Sequence, residues 1–216
     1  MPDRSIDSIY YRDAGSISVA RRISTYGRQN VYKSLIRIAA PDASTRILDI
    51  GVSDEEGPEA NMLEQLYPWP GSITAAGLGE GREFQQKYPD CGYARIEADR
   101  PLPFKDKTFD IVWSNAVLEH VGGPEQRRRF LLEAARVARR VILAVPNRWF
   151  PVEHHTALPL VHWNAGLFRR MLSGTPRDHW AHQANLDFLS MGLLRTEWPL
   201  AKPPGIAYAG LWLGPF

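Results

Sequence analysis

Residues 109–121 read Phe-Asp-Ile-Val-Trp-Ser-Asn-Ala-Val-Leu-Glu-His-Val, and this stretch decides the fold class. Its first six residues form a short apolar run typical of a buried strand, and polar side chains follow where the run ends. The same pattern occurs at 46–51, Arg-Ile-Leu-Asp-Ile-Gly. Because such runs alternate with helical stretches along the chain, the sequence predicts an α/β fold with a doubly wound parallel sheet.

Apolar runs and helical stretches on both sides of these two segments give the other predicted elements. The predicted strands are 46–51, 72–78, 92–98, 109–114 and 140–145, and the predicted helices are 17–39, 58–67, 80–88, 124–138, 164–172 and 180–191. Residues 147–163 contain three histidines and two prolines and are predicted to be mostly loop. Residues 193–198 and 206–213 are predicted to pair as a closing hairpin across Pro203-Pro204-Gly205.

Length and charge limit the class of protein. A chain of 216 residues fits one domain, 1–216, which we divide into an N-terminal helical segment 1–40, a core 41–146 and an acceptor-side part 147–216. The formal net charge of +2 argues against a nucleic-acid partner. The run Arg127-Arg128-Arg129 is therefore interpreted as the solvated face of a helix.

A single cysteine, no secretory signal and no long apolar run predict a cytoplasmic protein without a membrane span.

Ligands of open parallel sheets bind beyond the carboxyl ends of the strands, and acidic or amide side chains collect there in this sequence. Asp49 precedes Gly51 after the first strand, and Glu80 follows the second. Either Glu97 or Asp99 follows the third strand, just before Leu102-Pro-Phe104. Carboxylates at these positions can accept hydrogen bonds from ammonium, ribose hydroxyl or adenine amino groups.

Four motifs in register, Ile-Leu-Asp-Ile-Gly, Leu-Pro-Phe, Phe-Asp-Ile-Val-Trp-Ser and Val-Leu-Glu-His-Val, resemble the class I S-adenosylmethionine-dependent methyltransferases. The resemblance covers about residues 30 to 146 and is strongest to the small-molecule enzymes of the type 11-like group. It implies a Rossmann-like sheet of seven strands in the order 3-2-1-4-5-7-6, with the last strand antiparallel. It also implies S-adenosyl-L-methionine as cofactor and a small-molecule methyl acceptor.

Carried over residue by residue, the resemblance implies a cofactor site along the strand ends. Its amino-acid part lies beside Asp49, Gly51 and Ser53, and its ribose lies near Gly79 and Glu80. The adenine of the cofactor lies beside Glu97, Ala98 and Asp99, and Asn115 and Ala116 form the wall beside its sulfonium. His120 matches a histidine that faces the acceptor pocket in some members.

The sequence departs from the family pattern at the glycine-rich loop. Residues 51–57 read Gly-Val-Ser-Asp-Glu-Glu-Gly, where the family pattern is Gly-x-Gly-x-Gly and only its first position is glycine here. A basic side chain of the N-terminal helix, such as Arg28, can compensate for this acidic loop. The irregular loop keeps open an alternative in which the chain is a non-catalytic partner subunit. A nicotinamide-dependent oxidoreductase would need Gly-x-Gly-x-x-Gly after the first strand, which is missing.

The candidate acceptor side combines His120 with the segment after the fifth strand. His120 is predicted to be the base that takes a proton from a hydroxyl acceptor, because imidazole titrates near neutral pH; the alternative is that it packs the turn. Trp149, Glu153, His155 and His162 are the candidate substrate-binding residues. No metal site is predicted, because Ala116 stands where related quinone-pathway enzymes have a second acidic ligand beside a Glu-His pair.

Overall fold

The computed structural model describes residues 18–54, 60–153 and 155–209, with side chains from residue 26 onward. Its helices are α1 (Ser18–Ala39), α2 (Met62–Leu66), α3 (Arg82–Lys87), α4 (Pro124–Val137), α5 (Ala165–Leu172) and α6 (Met191–Glu197). Its strands are β1 (Ile47–Ile50), β2 (Ile73–Gly77), β3 (Gly92–Arg95), β4 (Phe109–Asn115) and β5 (Ala138–Ala144). Short 3-10 turns occupy Pro70–Ser72, Leu118–His120, Val161–Trp163 and Asp178–Ala181.

The five strands form one parallel sheet in the order β3-β2-β1-β4-β5. This confirms the α/β class and the predicted order of the first five strands. Within the described residues the sheet has five strands rather than seven. The order switches between β1 and β4, so the crevice at which such sheets bind ligands lies beyond Ile50 and Asn115.

The two faces of the sheet are buried in different apolar layers, as the period of two along β1 requires. Ile47 packs with Leu35, Leu63 and Phe84, which α1, α2 and α3 bring to one face. Leu48 and Ile50 pack on the opposite face, against residues of α4 such as Ala134 and Val137. The alternation places the Asp49 carboxylate on the α2 side, at the carboxyl end of the strand.

The C-terminal part departs from the prediction. Residues 191–197 form a helix, not half of a hairpin, because the Ser190 side chain caps it by accepting a hydrogen bond from Leu193 N. Leu193 and Leu194 of this helix pack on Leu118 and Leu131. Residues 203–209 contain no strand, and 210–213 lie outside the described residues. The helix predicted at 180–191 is also wrong, since only Asp178–Ala181 forms a 3-10 turn there.

Arg127 corrects the interpretation of the arginine run. Arg128 and Arg129 are exposed, but Arg127 is 2% exposed and crosses from α4 to the C-terminal segment. Its guanidinium donates to Asp187 at 2.7 Å and to both Glu197 oxygens at 2.8 Å. It also donates to the Gly122 carbonyl. This ion-pair network ties residues 187–197 to the sheet.

Replacing Arg127 with Met is expected to reduce the free energy of unfolding by about 3–5 kcal/mol, because two carboxylates that are only 12% and 15% exposed lose their counter-charge. Replacing Arg129 with Met is the matched control; its exposed pairing with Glu125 predicts a change within about 0.5 kcal/mol. Urea denaturation measures both. Equal, small changes in the two variants would show that the network does not hold the C-terminal segment.

Candidate active site

A cavity lies at the switch point of the sheet. The ends of β1 and β4 contribute Asp49, Gly51, Trp113 and Asn115, and helix α1 contributes Arg28 and Tyr32. Val31, Val52, Asn61, Met62 and Leu63 complete the lining. Three of the predicted cofactor residues, Asp49, Gly51 and Asn115, therefore share one cavity, and Arg28 joins them from the N-terminal helix.

Gly51 is required where β1 ends. Its φ of 104° lies in the region that favours glycine, and an added Cβ would fall 2.2 Å from a Val117 methyl carbon. Its N–H donates to the Ala76 carbonyl of β2. Ser53, two residues on, is buried, and its backbone exchanges hydrogen bonds with the Asn61 side chain. Residues 51–53 are therefore held by hydrogen bonds of their backbone, although residue 53 is not the glycine of the family pattern.

Asp49 has a buried acidic neighbour that the sequence analysis did not identify. Asp49 and Glu64 are each 6% exposed. Burial raises the pKa of Asp49 well above its usual value, and the charge of Glu64 raises it further. Burial also raises the pKa of Glu64 to about 7. A cation placed against Asp49 from the cavity side would relieve this cost.

The cavity thus offers an acid on one wall and a guanidinium on another, which suits the zwitterionic amino-acid end of S-adenosylmethionine. Its ammonium fits Asp49 and its carboxylate fits Arg28, since charged hydrogen bonds of these types are the strong ones. Asn115 and Gly51 line the same cavity. The residues present therefore fit this part of the cofactor.

The positions predicted for the nucleoside are mostly exposed. Glu80 forms an ion pair with Arg95 at the surface, and Glu97 lies 3.9 Å from Arg100. Ala98 and Asp99 are also exposed, and Asp99 has a φ of 60°. None of these four lines the cavity of the amino-acid end.

The loop after β2 is held by an acid that the sequence analysis passed over. Asp54 accepts hydrogen bonds from Gly81 N and Phe84 N, at the start of α3. The Gly79 carbonyl accepts a hydrogen bond from Tyr93 Oη. Gly77 leaves no space for a side chain, because an added Cβ would lie 2.7 Å from the Val52 carbonyl oxygen.

A histidine–carboxylate cluster, Glu119, His120, Glu153 and His155, lies directly beyond β4. Ala116 (φ 56°) turns the chain from Asn115 into the 3-10 turn that carries Glu119 and His120. Glu153 and His155 come from the loop after β5. The Nε2 atoms of His120 and His155 lie 3.1 Å apart, and His155 Nδ1 lies 2.9 Å from Glu153 Oε1. Two of the predicted substrate-binding residues thus meet the predicted catalytic residue.

Burial sets the charge state of the two acids in this cluster. Burial raises the pKa of Glu119 to about 7, although the charges of His155 and Arg28 oppose the rise. Burial would also raise the pKa of Glu153, but hydrogen bonds from His155 and Thr156, with the His155 charge, lower it to about 2. Because Arg28 lines the cavity and its charge acts on Glu119, the cluster and the cavity are neighbours.

The other two predicted substrate-binding residues lie outside this cluster. Trp149 is 37% exposed and packs edge-on against Trp163. His162 is buried against Phe188, and burial lowers its pKa.

Comparisons with known proteins agree with this architecture. Residues 60–141 match the family model described as a methyltransferase domain. A SAM-dependent methyltransferase from Thermotoga maritima superimposes with a TM-score of 0.52 at 18% identity, covering 83% of this chain and 70% of that one. The YcgJ protein from Bacillus subtilis gives a TM-score of 0.52 at 18% identity, covering 78% of this chain and 66% of that one, just under two thirds. A search of curated proteins finds no significant match.

The family-model match over residues 60–141 and the shared fold both agree with the class I S-adenosylmethionine-dependent methyltransferases that the motifs resemble. The matched region is that of a methyltransferase domain, and the solved neighbour from Thermotoga maritima is a SAM-dependent enzyme. Among the described residues no helix is both long and apolar enough to cross a membrane.

Replacing Glu64 with Gln is expected to stabilise the protein at pH 8. A carboxyl whose pKa rises to about 7 on folding contributes stability below its unfolded value of 4.5, and that contribution is lost as the pH rises through about 7. The amide removes this loss and can donate to Asp49. Unfolding free energies at pH 5 and pH 8, with exposed Glu97→Gln as control, measure the effect. A Glu64→Gln variant less stable than the parent at pH 8 would refute the buried acidic pair.

Replacing Arg28 with Met is expected to weaken S-adenosylhomocysteine binding by roughly 10- to 100-fold, since a hydrogen bond to a charged group contributes about 1.5–3 kcal/mol. Arg37→Met, on the exposed side of the same helix, is the control. Isothermal titration calorimetry gives both affinities. Unchanged affinity in Arg28→Met would remove this residue from the cofactor site.

Proposed function

We propose that this protein is an S-adenosylmethionine-dependent methyltransferase that transfers the methyl group to an oxygen of a small-molecule acceptor. The acceptor binds between the cavity and the histidine–carboxylate cluster. The observation that supports this proposal is the position of the cluster. Asn115 lines the cavity proposed for the cofactor's amino-acid end. The turn that carries Glu119 and His120 follows it directly, so the cluster borders that cavity. A hydroxyl acceptor must lose its proton, whereas a neutral amine already carries the attacking lone pair, so such a cluster favours oxygen.

S-adenosylmethionine supplies a methyl carbon on a positively charged sulfur, which is already a strong electrophile. Arg28 and Asp49 hold the amino-acid end, and the Asn115–Ala116 turn fixes the wall beside the sulfonium. The protein then has to keep the acceptor oxygen about 3 Å from the methyl carbon and in line with the carbon–sulfur bond. When bound there, the cofactor would supply the methyl group to the acceptor oxygen and keep the electron pair of the broken carbon–sulfur bond, and His120 would take the proton that the hydroxyl loses.

His120 is the catalytic residue of this proposal, but it acts as part of a pair. Its Nδ1 lies 2.6 Å from the Asn185 carbonyl oxygen, which only accepts, so Nδ1 carries the hydrogen. Its Nε2 faces His155. Trp180, 1% exposed, packs against both rings and shields the pair from water. Trp149 and His162 are proposed to border the acceptor from the same part of the chain.

The remaining site assignments are proposals on the same footing. Gly79, Glu80, Glu97, Ala98 and Asp99 are proposed to border the nucleoside, on the open side of the sheet edge. We place the enzyme in the cytoplasm because its single cysteine, Cys91, cannot form a disulfide within the chain, which suits a reducing compartment.

Replacing His120 with Gln is expected to lower the methyl-transfer rate by about 10²- to 10⁴-fold and to leave S-adenosylhomocysteine affinity unchanged. His182→Gln, an exposed histidine paired with Asp178, is the matched control. Labelled S-adenosylmethionine is incubated with a small-metabolite extract, and the methylated product is identified by mass spectrometry and NMR.

Three outcomes would contradict the proposal. Label found on nitrogen or carbon would refute the oxygen acceptor. Full activity in His120→Gln would remove His120 from the reaction. Failure of the parent protein to bind S-adenosylhomocysteine would favour a non-catalytic partner subunit.

A further inference from the structure

Two imidazole nitrogens and one carboxylate converge in the histidine–carboxylate cluster. His120 Nε2 lies 3.1 Å from His155 Nε2 and 4.0 Å from Glu119 Oε1. One ligand atom from each of the three residues lies within 4.8 Å of the other two. The three side chains come from two separate segments, the turn after β4 and the loop after β5, so the fold brings them together.

The outer nitrogens of both rings are already committed as donors. His120 Nδ1 donates to the Asn185 carbonyl at 2.6 Å, and His155 Nδ1 donates to Glu153 Oε1 at 2.9 Å. Glu153 also accepts from Thr156 N and Oγ1, which holds it as an acceptor. In the neutral rings both Nε2 atoms therefore carry lone pairs that face each other. A cation or a shared proton between them makes that contact favourable.

Glu119 adds an independent observation. Its side chain is 2% exposed, and neither carboxylate oxygen has a hydrogen-bond partner among the described residues. A buried carboxylate without a partner costs several kcal/mol unless a positive charge compensates it. One oxygen of the Glu119 carboxylate lies within 4.8 Å of a ring nitrogen of each histidine. The point at which the three groups converge is thus where positive charge is needed.

We propose that Glu119, His120 and His155 bind a divalent first-row transition-metal ion, of which Zn²⁺ fits the donor set best. Two nitrogens held about 2.0–2.1 Å from a tetrahedral zinc lie roughly 3.3 Å apart, close to the 3.1 Å observed. The carboxylate reaches the ion with a shift of about 1 Å. Asn185 and Glu153 act as the outer partners that fix metal-binding histidines in orientation.

The missing acid at Ala116 had argued against a metal site, but His155 supplies the third ligand from outside the motif. Three protein ligands leave a coordination position for the acceptor oxygen, and a bound ion lowers the pKa of a hydroxyl that binds it. With Nε2 on the ion and Nδ1 donating to Asn185, His120 would then act as a ligand rather than as the base, and the hydroxyl proton would be released to solvent. This consequence rests on the proposed function, whereas the binding of the ion does not.

The experiment is a titration of chelator-treated full-length protein with Co²⁺ followed by visible absorption, and with Zn²⁺ followed by calorimetry. We expect one ion per chain and the visible bands of four- or five-coordinate cobalt. His155→Asn and Glu119→Gln each remove a ligand and are expected to weaken binding by at least about 100-fold. Glu153→Gln, an outer partner, is expected to weaken it by about 10- to 100-fold. His182→Asn is the matched control.

The outcomes separate this inference from the proposed function. Binding lost in the site variants and kept in His182→Asn, with circular dichroism and melting unchanged in Glu119→Gln, supports the site. Absent binding, or equal affinity in all variants, overturns it even if methyl transfer to oxygen is observed. Stoichiometric binding in the absence of methyl transfer would leave the metal site standing and refute only its proposed role.

Discussion

The site depends on the parallel pairing of β1 with β4. This register sets Asp49 beside Trp113, and the Ser114 hydroxyl donates to the Ile50 carbonyl at 2.9 Å, so the two strands end together. Since strand order reverses at this pair, no helix crosses over its carboxyl end and a crevice remains. Asp49, Gly51 and Asn115 line this crevice because of the pairing, and the Glu119–His120 turn starts from it. A shift of one residue would turn Asp49 to the opposite face of the sheet.

The sheet could be predicted from the sequence because each of its strands is a short apolar run, a signal that is complete within the run itself. The C-terminal part could not, and the reason is visible at 190–198. Leu193, Leu194 and Trp198 recur at a helical spacing after the cap residue Ser190, yet the apolar content alone suggested a strand. The interpretation of Arg127 as a solvated residue was wrong for a different reason. Its burial depends on Asp187 and Glu197, 60 and 70 residues away, which no local pattern reveals.

The candidate site also contains residues that the sequence placed correctly and residues that it did not. Residues fixed by motifs at the ends of β1 and β4 were predicted and line the cavity together, whereas Glu80 and Glu97 were placed by motif position alone and form surface ion pairs. Arg28 was suggested as compensation for an acidic loop, and it lines the cavity. The orienting partner Asn185 was not predictable, since only the tertiary fold brings its carbonyl to His120. Buried acids such as Glu64 carry no sequence signal either, because an isolated glutamate in a helix is most often exposed.

The most direct test of this account is a crystal structure of the protein with S-adenosylhomocysteine. We expect the amino-acid end of that molecule to lie between Arg28 and Asp49 and its sulfur to lie beside Asn115. The open side of the sulfur should face His120. A molecule bound elsewhere, or a crevice occupied by the acidic segment that follows Ser53, would contradict it.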